Sequence, residues 1–261
     1  DLMADLSEAA GQERPLPQGE WLALLPGSKR AKLQVGVPFL LETADRLSVL
    51  RPGCRFLIPV APTTSVQELL AYGGPANPIA AHYAAGEPRL EQGADGLELV
   101  SAAGSRILLI EEQPAHGVLS QCRLALTTVG ANTAELGILA RLPILKWLLG
   151  AAMTAWRMRH HGFLAWPNIS AGRAVVPERV GAITPEQIAT EAADWLAHPE
   201  RLAGMRDDLR SLRGQPGAVA ALASMVRELL PPVATMQPLS SMEPAPSISP
   251  ARPTPPPSGP A

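Results

Sequence analysis

Short apolar runs alternate with helical segments along most of this chain, from Glu20 to Leu230. Such an alternation is typical of βαβ units, in which helices connect parallel strands and cover both faces of the sheet. The pattern therefore predicts the α/β fold class. In open sheets of this class, ligands bind at the carboxyl ends of the strands, so the residues just after each strand are the first candidates for a functional site.

Four strands are predicted from the apolar runs: Trp21 to Leu25, Arg55 to Val60, Arg106 to Ile110 and Leu124 to Thr127. After the first strand, apolar residues recur at helical spacing and predict a helix; they are Val37, Leu40, Leu41, Ala44 and Leu47.

Two shorter helices and one loop are also predicted. Ser65 and Glu68 have the spacing of a capping box and open a helix that ends at Gly73. A second short helix is expected around Gly117 to Gln121. From Gly74 to Gly96 the periodicity fades while glycine and proline accumulate, which predicts a loop or an insertion without regular structure.

Three segments divide the chain. Residues 20–230 form the predicted folded domain. Residues 231–261 hold eleven of the 28 prolines and few charges, so this Pro/Ser-rich tail is predicted to be disordered. Residues 1–19 are interpreted as a linker or the end of a missing N-terminal domain, because the sequence opens on Asp1 without a secretion signal or an initiating Met.

Composition excludes several classes of function. The 22 basic and 24 acidic residues give a net charge of −2, which offers no general attraction to nucleic acid. Cys54 and Cys122 form no C-x-x-C pair and no metal-ligand cluster, so neither a disulfide framework nor a zinc site is indicated. A reducing, cytoplasmic location is expected, and no run of about 18 uncharged apolar residues suggests a membrane span.

The first candidate site follows the first predicted strand, at Pro26-Gly27-Ser28-Lys29. Glycine allows a close approach of the backbone, the start of the next helix offers free amides, and Lys29 adds positive charge, which together suit an anion. An ordinary strand-to-helix turn with a solvated lysine explains the same residues.

A second candidate site follows the fourth predicted strand, in Thr127-Thr128-Val129-Gly130-Ala131-Asn132-Thr133-Ala134-Glu135. Backbone amides at the start of its helix could hold a diphosphate, and Glu135 could accept hydrogen bonds from ribose hydroxyls. Asn132 and Glu135 also have the spacing of a helix-capping pair, which needs no ligand.

A third segment, Leu164 to Arg173, reads by composition as a loop, and Val175-Val176-Pro177-Glu178 follows it. The order LLPGSK, TTVGANTAELG, LPILKW and WPNISAGRAVVPE resembles the C-terminal half of lipid-A-disaccharide synthases. That family has a PGSR-type loop, a SGTAxLE-type loop, a strand after a proline and a PNxxAGxxxVPE-type segment in this order. The resemblance extends from about Leu22 to Val226.

The resemblance implies a GT-B glycosyltransferase whose C-terminal, Rossmann-like domain binds a UDP-sugar. Gly27, Ser28 and Lys29 would face the diphosphate, with help from the second loop through Gly130, Asn132 and Thr133. Glu135 would bind the ribose and Asn168 would line the cleft. The implied reaction is displacement at the anomeric carbon with inversion, without metal or cofactor, on a lipid-linked or membrane-proximal acceptor. The acceptor groups and the base would come from an N-terminal domain or a partner chain.

The motifs depart from the family pattern at several positions. Lys29 replaces the usual Arg and loses its bidentate fork, and Lys32 replaces a common acidic residue. The second loop reads VGANTAE rather than SGTAxLE. These departures indicate a divergent branch whose sugar and acceptor need not be those of lipid A.

The segment Leu145 to His161 carries a further expectation. Its apolar residues fall on one helical face and its basic residues on the other, which is typical of a helix lying in a membrane interface. A core helix with one solvated face fits the same pattern. The interfacial interpretation predicts a protein at the cytoplasmic face of the inner membrane.

Three functions remain open at this point. The chain could be the donor-binding part of a hexosyltransferase, which predicts binding of UDP. It could be a non-catalytic GT-B domain that serves as a binding module, which predicts folding without nucleotide affinity. A UDP-sugar epimerase of the same fold would need carboxylates that the sequence does not place.

Overall fold

A computed structural model describes residues 14–83, 86–128, 144–148, 162–180, 183–212 and 217–229. Its centre is an eight-stranded sheet with the order β3-β4-β5-β2-β1-β6-β7-β8. The strands are β1 (Glu20–Leu25), β2 (Cys54–Pro59), β3 (Arg89–Gly93), β4 (Gly96–Val100), β5 (Arg106–Ile110), β6 (Leu124–Thr127), β7 (Ile144–Leu148) and β8 (Glu178–Val180).

Six of these strands, from β5 through β2, β1, β6 and β7 to β8, pair in parallel. The strands β3 and β4 add an antiparallel hairpin at one edge. The helices are α1 (Arg30–Leu50), α2 (Val66–Gly73), α3 (His116–Ser120), α4 (Trp166–Ala171), α5 (Pro185–Ala197), α6 (Pro199–Ser211) and α7 (Ala218–Leu229), and a 3-10 turn spans Ala80–Tyr83.

Both faces of the sheet are buried, as the alternating residues of β1 show. Leu22 and Leu24 belong to one apolar cluster, together with buried residues of α1 and α5. Ala23 and Leu25 belong to a second cluster on the opposite face, together with buried residues of α3 and α6. A parallel strand covered on both sides must be apolar along its whole length, which explains the uninterrupted runs in the sequence. The predicted α/β fold class is thereby confirmed.

The long helix α1 covers the first face through the residues that its spacing predicted. Val37, Leu40, Leu41, Ala44 and Leu47 are all buried. The predicted capping box is also present, since the Ser65 side chain accepts from the Glu68 backbone N–H while the Glu68 carboxylate accepts from the Ser65 backbone N–H. The helix that it opens ends at Gly73, as expected.

The prediction of a loop from Gly74 to Gly96 was wrong at its end, where the β3–β4 hairpin begins. The hairpin lacks an apolar alternation because β3 is an edge strand with charged side chains. Arg106 bridges Glu91 of β3 and Glu98 of β4, at 2.8 and 2.6 Å. Charged edges of this kind prevent pairing with other chains and also conceal the strand from a hydrophobicity pattern.

The prediction of a helix beginning at Leu145 was also wrong, because residues 144–148 form the parallel strand β7. The strand after a proline that the family resemblance implied is found there. The remainder of the predicted helix, residues 149–161, lies outside the described residues. Within the part of the chain that the structure describes, no helix combines the length and apolar character that a membrane span requires.

The chain divides into a compact unit from Asp1 to Ala221, which contains the whole sheet, and a second unit from Leu222 to Ala261. In the second unit the structure describes the last turns of α7, whose Leu222, Met225 and Leu229 are exposed. The proposed disorder of residues 231–261 stays a prediction.

Candidate functional site

The candidate site lies where the order of the strands reverses. From β1 the chain proceeds to β2 on one side, whereas β6 pairs with β1 on the other. Leu25 and Thr127 are register partners, so β1 and β6 end side by side. Connections that leave two adjacent strands in opposite directions open a crevice at their carboxyl ends, and ligands of α/β proteins bind there. The structure thus brings the starts of the first two predicted loops together.

Gly27 shapes the first loop. Its φ of +99° lies in the region that side-chain-bearing residues rarely adopt. A Cβ at this position would also lie 3.0 Å from Lys32 Cδ and 3.3 Å from Thr128 Oγ1. The turn therefore requires glycine both for its backbone conformation and for the close approach of its neighbours.

Two threonines at the end of β6 fix the second loop against the first. The Thr128 backbone N–H donates to the Leu25 carbonyl at 3.2 Å, and its hydroxyl donates to the Pro26 carbonyl at 3.3 Å. The Thr127 hydroxyl donates to the Thr128 carbonyl at 2.9 Å. The predicted ligand-binding residues of this loop, Gly130, Asn132, Thr133 and Glu135, lie outside the described residues, so their roles stay predictions.

The start of α1 carries a concentration of positive charge. Ser28, Lys29 and Arg30 are exposed, and Lys32 is half-buried within the first turn of the helix. The first turn contains no acidic residue, and the side chain of the N-cap, Lys29, makes no capping hydrogen bond. Burial first, and the charge of Lys29 second, lower the pKa of Lys32. A helix N-terminus with cations beside it favours a negatively charged ligand.

Arg30 is a candidate that the motif-based prediction did not include. It continues the run Ser28-Lys29-Arg30-Ala31-Lys32, in which three cations fall within one helical turn. The run of cations directly after the first predicted strand is the sequence feature that could have indicated Arg30. Arg30 is exposed at the first residue of α1, directly after the loop, and it carries the planar guanidinium fork that Lys29 lacks.

Thr64 is a second residue that the sequence did not indicate. It lies after β2, which neighbours β1 in the sheet, and its Oγ1 is buried without a hydrogen-bond partner in the described part of the chain. Buried hydroxyls are usually paired. No spacing or composition pattern could have identified it, because its burial follows from packing.

Asn168 does not line the crevice, which corrects its predicted role. Its side chain is 1% exposed. The amide nitrogen donates to the Val176 carbonyl at 2.8 Å and to Glu178 Oε1 at 2.7 Å, while the amide oxygen accepts from the Val175 and Val176 backbone N–H groups. These four bonds use the whole capacity of a side-chain amide, so none remains for a sugar nucleotide.

The segment around Asn168 is the helix α4, not the loop that its composition suggested. The Glu178 carboxylate accepts from the backbone N–H groups of Leu164 and Ala165, at 2.9 and 2.6 Å, just before the helix begins. Asn168 and Glu178 therefore form one clamp that holds the start of α4 against β8. In this chain the WPNISAGRAVVPE motif has a structural role.

No group of three or more potential metal-ligating His, Cys, Asp or Glu side chains occurs among the residues that the structure describes. The expectation of a reaction without a metal or cofactor stays a prediction. Cys54 and Cys122 are free thiols.

The fold and the crevice define the class of doubly wound α/β proteins, which bind their ligands at the reversal of strand order.

No protein-family model matches the chain. Sequence relatives are more informative. The lipid-A-disaccharide synthase of Myxococcus xanthus is 31% identical over 219 residues, which are 81% of this chain and 49% of that protein. The enzyme of Neisseria meningitidis serogroup C is 28% identical over 196 residues, which are 73% of this chain and 44% of the relative.

The chain is thus related in sequence to lipid-A-disaccharide synthases, as its four ordered motifs predicted. It spans about half the length of the curated relatives that it matches. Among solved structures, a proposed UDP-N-acetylglucosamine 2-epimerase from Listeria monocytogenes aligns with a TM-score of 0.49 at 16% identity, over 87% of this chain and 51% of that protein. The relationship rests on the sequence relatives and not on this structural likeness.

Proposed function

We propose that the chain binds the UDP-sugar donor of a hexosyltransferase related to lipid-A-disaccharide synthases. The observation that carries the proposal is the cationic start of α1 beside Gly27, at the reversal of strand order. A diphosphate has the charge that suits this place, and the turn at Gly27 allows close contact between backbone amides and phosphate oxygens. The relationship to enzymes of this name supports a sugar nucleotide over other diphosphates.

The proposed roles follow the positions of the residues. Ser28 and the first amides of α1 would donate to the diphosphate, and Lys29 would neutralise its charge. As the bond to the anomeric carbon breaks, negative charge grows on the departing diphosphate, and prearranged donors stabilise that charge most when it is fully developed. Asn132 and Thr133 are proposed to assist from the second loop and Glu135 to hold the ribose.

The acceptor is proposed to be lipid-linked or membrane-proximal and to attack with inversion, at the cytoplasmic face of the inner membrane. The groups that would bind it and accept its proton are expected in an N-terminal domain or a partner chain. The chain by itself is therefore expected to bind the donor without transferring the sugar.

Calorimetric titration with UDP and UDP-N-acetylglucosamine tests the proposal. Lys29→Ala should weaken UDP binding about tenfold, the usual effect of removing one charge-assisted hydrogen bond. Glu135→Ala should weaken UDP but leave inorganic pyrophosphate unaffected, because its proposed partner is the ribose. Arg227→Ala removes an exposed charge on α7 and is the control that should bind like the wild type.

Absence of uridine-nucleotide binding up to millimolar concentration in the folded chain would refute the donor site. The non-catalytic binding module would then be the better account.

A further inference from the structure

A pocket of about 450 Å³ lies at the amino-terminal edge of the sheet, opposite the candidate donor site. The first residues of β2 and β5 line it from the sheet. The end of α1 lines it with Asp45, Ser48 and Val49, and the turn between β4 and β5 closes it with residues 103–105. The pocket shares no residue with the donor crevice, which lies at the carboxyl ends of the strands.

The charged residues of the pocket lie on two sides of the sheet. Arg55, Glu98 and Arg106 each precede a residue of the apolar cluster that α1 covers, so their own side chains belong to the opposite face. Asp45, in contrast, belongs to α1 itself. Among the described residues that line the pocket, Asp45 is therefore the one charged group on the side of α1.

The two arginines already have carboxylate partners on their own side of the sheet. Arg55 donates to Asp95 at 2.6 Å. Arg106 donates to Glu98 at 2.6 Å and to Glu91 at 2.8 Å. Their charges are thus compensated where they stand, and neither arginine is paired with Asp45.

Asp45 has hydrogen-bond donors but no cationic partner. Its Oδ1 accepts from the Ser101 hydroxyl at 2.5 Å, and Ser105 donates to the same carboxylate. The neighbouring Arg46 binds Glu42 instead, at 2.8 Å, and no basic side chain pairs with Asp45 in the described part of the chain. Burial raises the pKa of Asp45 by more than these hydrogen bonds lower it, so a cation at this carboxylate would stabilise its charged form.

The end of α1 adds partial negative charge at the same place. The helix has 21 residues and no basic residue in its last turn. The carbonyl groups that end a helix carry partial negative charge and favour a cation. Arg51 follows the helix, but its guanidinium is held by Glu20 through hydrogen bonds of 2.9 and 3.2 Å. The carboxylate and the helix end are two independent features that favour positive charge in the pocket.

We propose that this pocket binds a primary ammonium group carried on a short aliphatic chain. The ammonium lies against the Asp45 carboxylate. The Ser48 hydroxyl, which donates to the Ala44 carbonyl, keeps a lone pair that accepts from the ammonium. Val49 follows Asp45 by one turn on the same helix face and is 80% exposed, and Ala103 is exposed as well, so these two side chains offer apolar contact to the aliphatic chain.

Titration with n-butylammonium chloride, followed through the backbone amide resonances in NMR spectra, tests the inference. Saturable shifts should be confined to residues 45–49 and 101–105. Asp45→Asn should weaken binding about tenfold, because it removes the charge but keeps an oxygen that accepts from Ser101. Val49→Lys changes an exposed position and should also weaken binding, because the new side chain brings its own ammonium to the pocket.

Two controls separate the pocket from general effects. Glu42→Gln removes one negative charge from the same helix, one turn before Asp45 and outside the pocket, and should bind n-butylammonium like the wild type. The alcohol n-butanol has the shape of the amine without its charge and should not bind.

Two sources of the ammonium group are distinguished by a second measurement. Sedimentation with phosphatidylcholine vesicles, with and without phosphatidylethanolamine, reports whether the pocket accepts a lipid headgroup. Binding that requires phosphatidylethanolamine and is lost in Asp45→Asn assigns the site to a membrane lipid. Binding of n-butylammonium without vesicle binding assigns it to a soluble amine.

The inference fails if n-butylammonium causes no saturable shifts up to about 10 mM, or if n-butanol binds equally well. It also fails if Glu42→Gln weakens binding as much as Asp45→Asn, since the effect would then be one of net charge. These results leave the UDP titration untouched, so this pocket and the donor site stand or fall separately.

Discussion

Gly27 is the residue on which the geometry of the donor crevice depends. Its backbone conformation bends the chain from β1 into α1, and its lack of a side chain lets Thr128 approach. Gly36, in the second turn of α1, has a similar role, because a Cβ there would lie 2.9 Å from the Pro26 carbonyl oxygen. Two glycines thus allow loop, helix and neighbouring strand to meet without a gap.

Replacing Gly27 by alanine should lower the free energy of unfolding by about 2 kcal/mol, because a side chain at φ +99° is strained and its Cβ meets Lys32. It should also abolish UDP binding under the proposed function. Urea unfolding and calorimetry measure the two effects. Gly53→Ala is the matched control, since a Cβ at Gly53 would have no heavy atom within 4 Å. Equal stability of both variants would show that the strain at Gly27 is absent.

At the scale of secondary-structure elements, α4 is held by a tertiary contact more than by its own sequence. The helix has six residues, a length that is marginal in isolation, and its N-cap, Ala165, has no side chain that can cap it. Glu178, the first residue of β8, instead accepts from the backbone N–H of Ala165 itself and so fixes the residue at which the helix begins. The local composition of this segment, which is rich in proline, asparagine and glycine, therefore predicted a loop.

Asn168→Ala should lower the free energy of unfolding by about 3 kcal/mol, because it leaves the buried N–H groups of Val175 and Val176 without their acceptor. The affinity of the folded protein for UDP should stay within twofold of the wild type, as expected for a clamp that does not touch the ligand. Urea unfolding and calorimetry below the unfolding transition separate the two quantities. A large loss of UDP affinity with unchanged stability would restore the binding role that the sequence had predicted for Asn168.

The elements differ in how far the sequence predicted them, and burial explains why. The helical period of α1 is visible because the apolar residues Val37, Leu40, Leu41, Ala44 and Leu47 are spaced at about one turn and are all buried. The strand β7 has the sequence ILKWL, which shows no period of two, and the spacing of Leu145 and Leu148 therefore also fitted a helix. The hairpin of β3 and β4 was hidden by the charges of an edge strand.

At the scale of the whole molecule, the sheet order decides which residues can act together. The sequence placed Pro26 and Thr128 directly after strands, and a parallel sheet brings the carboxyl ends of strands together, so the contact between these two residues could be predicted. Arg123 and Arg206 are distant in sequence and belong to different elements. Their meeting depends on α6 packing beneath the start of β6, for which no local pattern exists.

The same packing buries a titratable thiol in the core. Cys122 is 2% exposed, between α3 and β6. Burial raises its pKa from 9.0 to about 12. The raised pKa means that the thiol stays neutral in the folded chain at pH values where the unfolded chain has already lost the proton. Its contribution to stability is therefore complete below pH 9 and is lost as the pH rises from 9 toward 12.

Stability should thus fall more steeply with alkaline pH in the wild type than in Cys122→Ala. Between pH 9 and pH 10 the thiol should account for about 1 kcal/mol of the decrease, because the unfolded form deprotonates in that interval while the folded form does not. Urea unfolding of both proteins at pH 9 and pH 10 gives the change in the free energy of unfolding with pH for each. The difference between the two changes reports the thiol alone, because the cost of the cavity left by the alanine and the titration of all other groups are the same at both pH values and in both proteins. Parallel slopes would mean that the Cys122 thiol is accessible to water in the folded protein, and the packing of α3 and α6 against the sheet would then be looser than the structure shows.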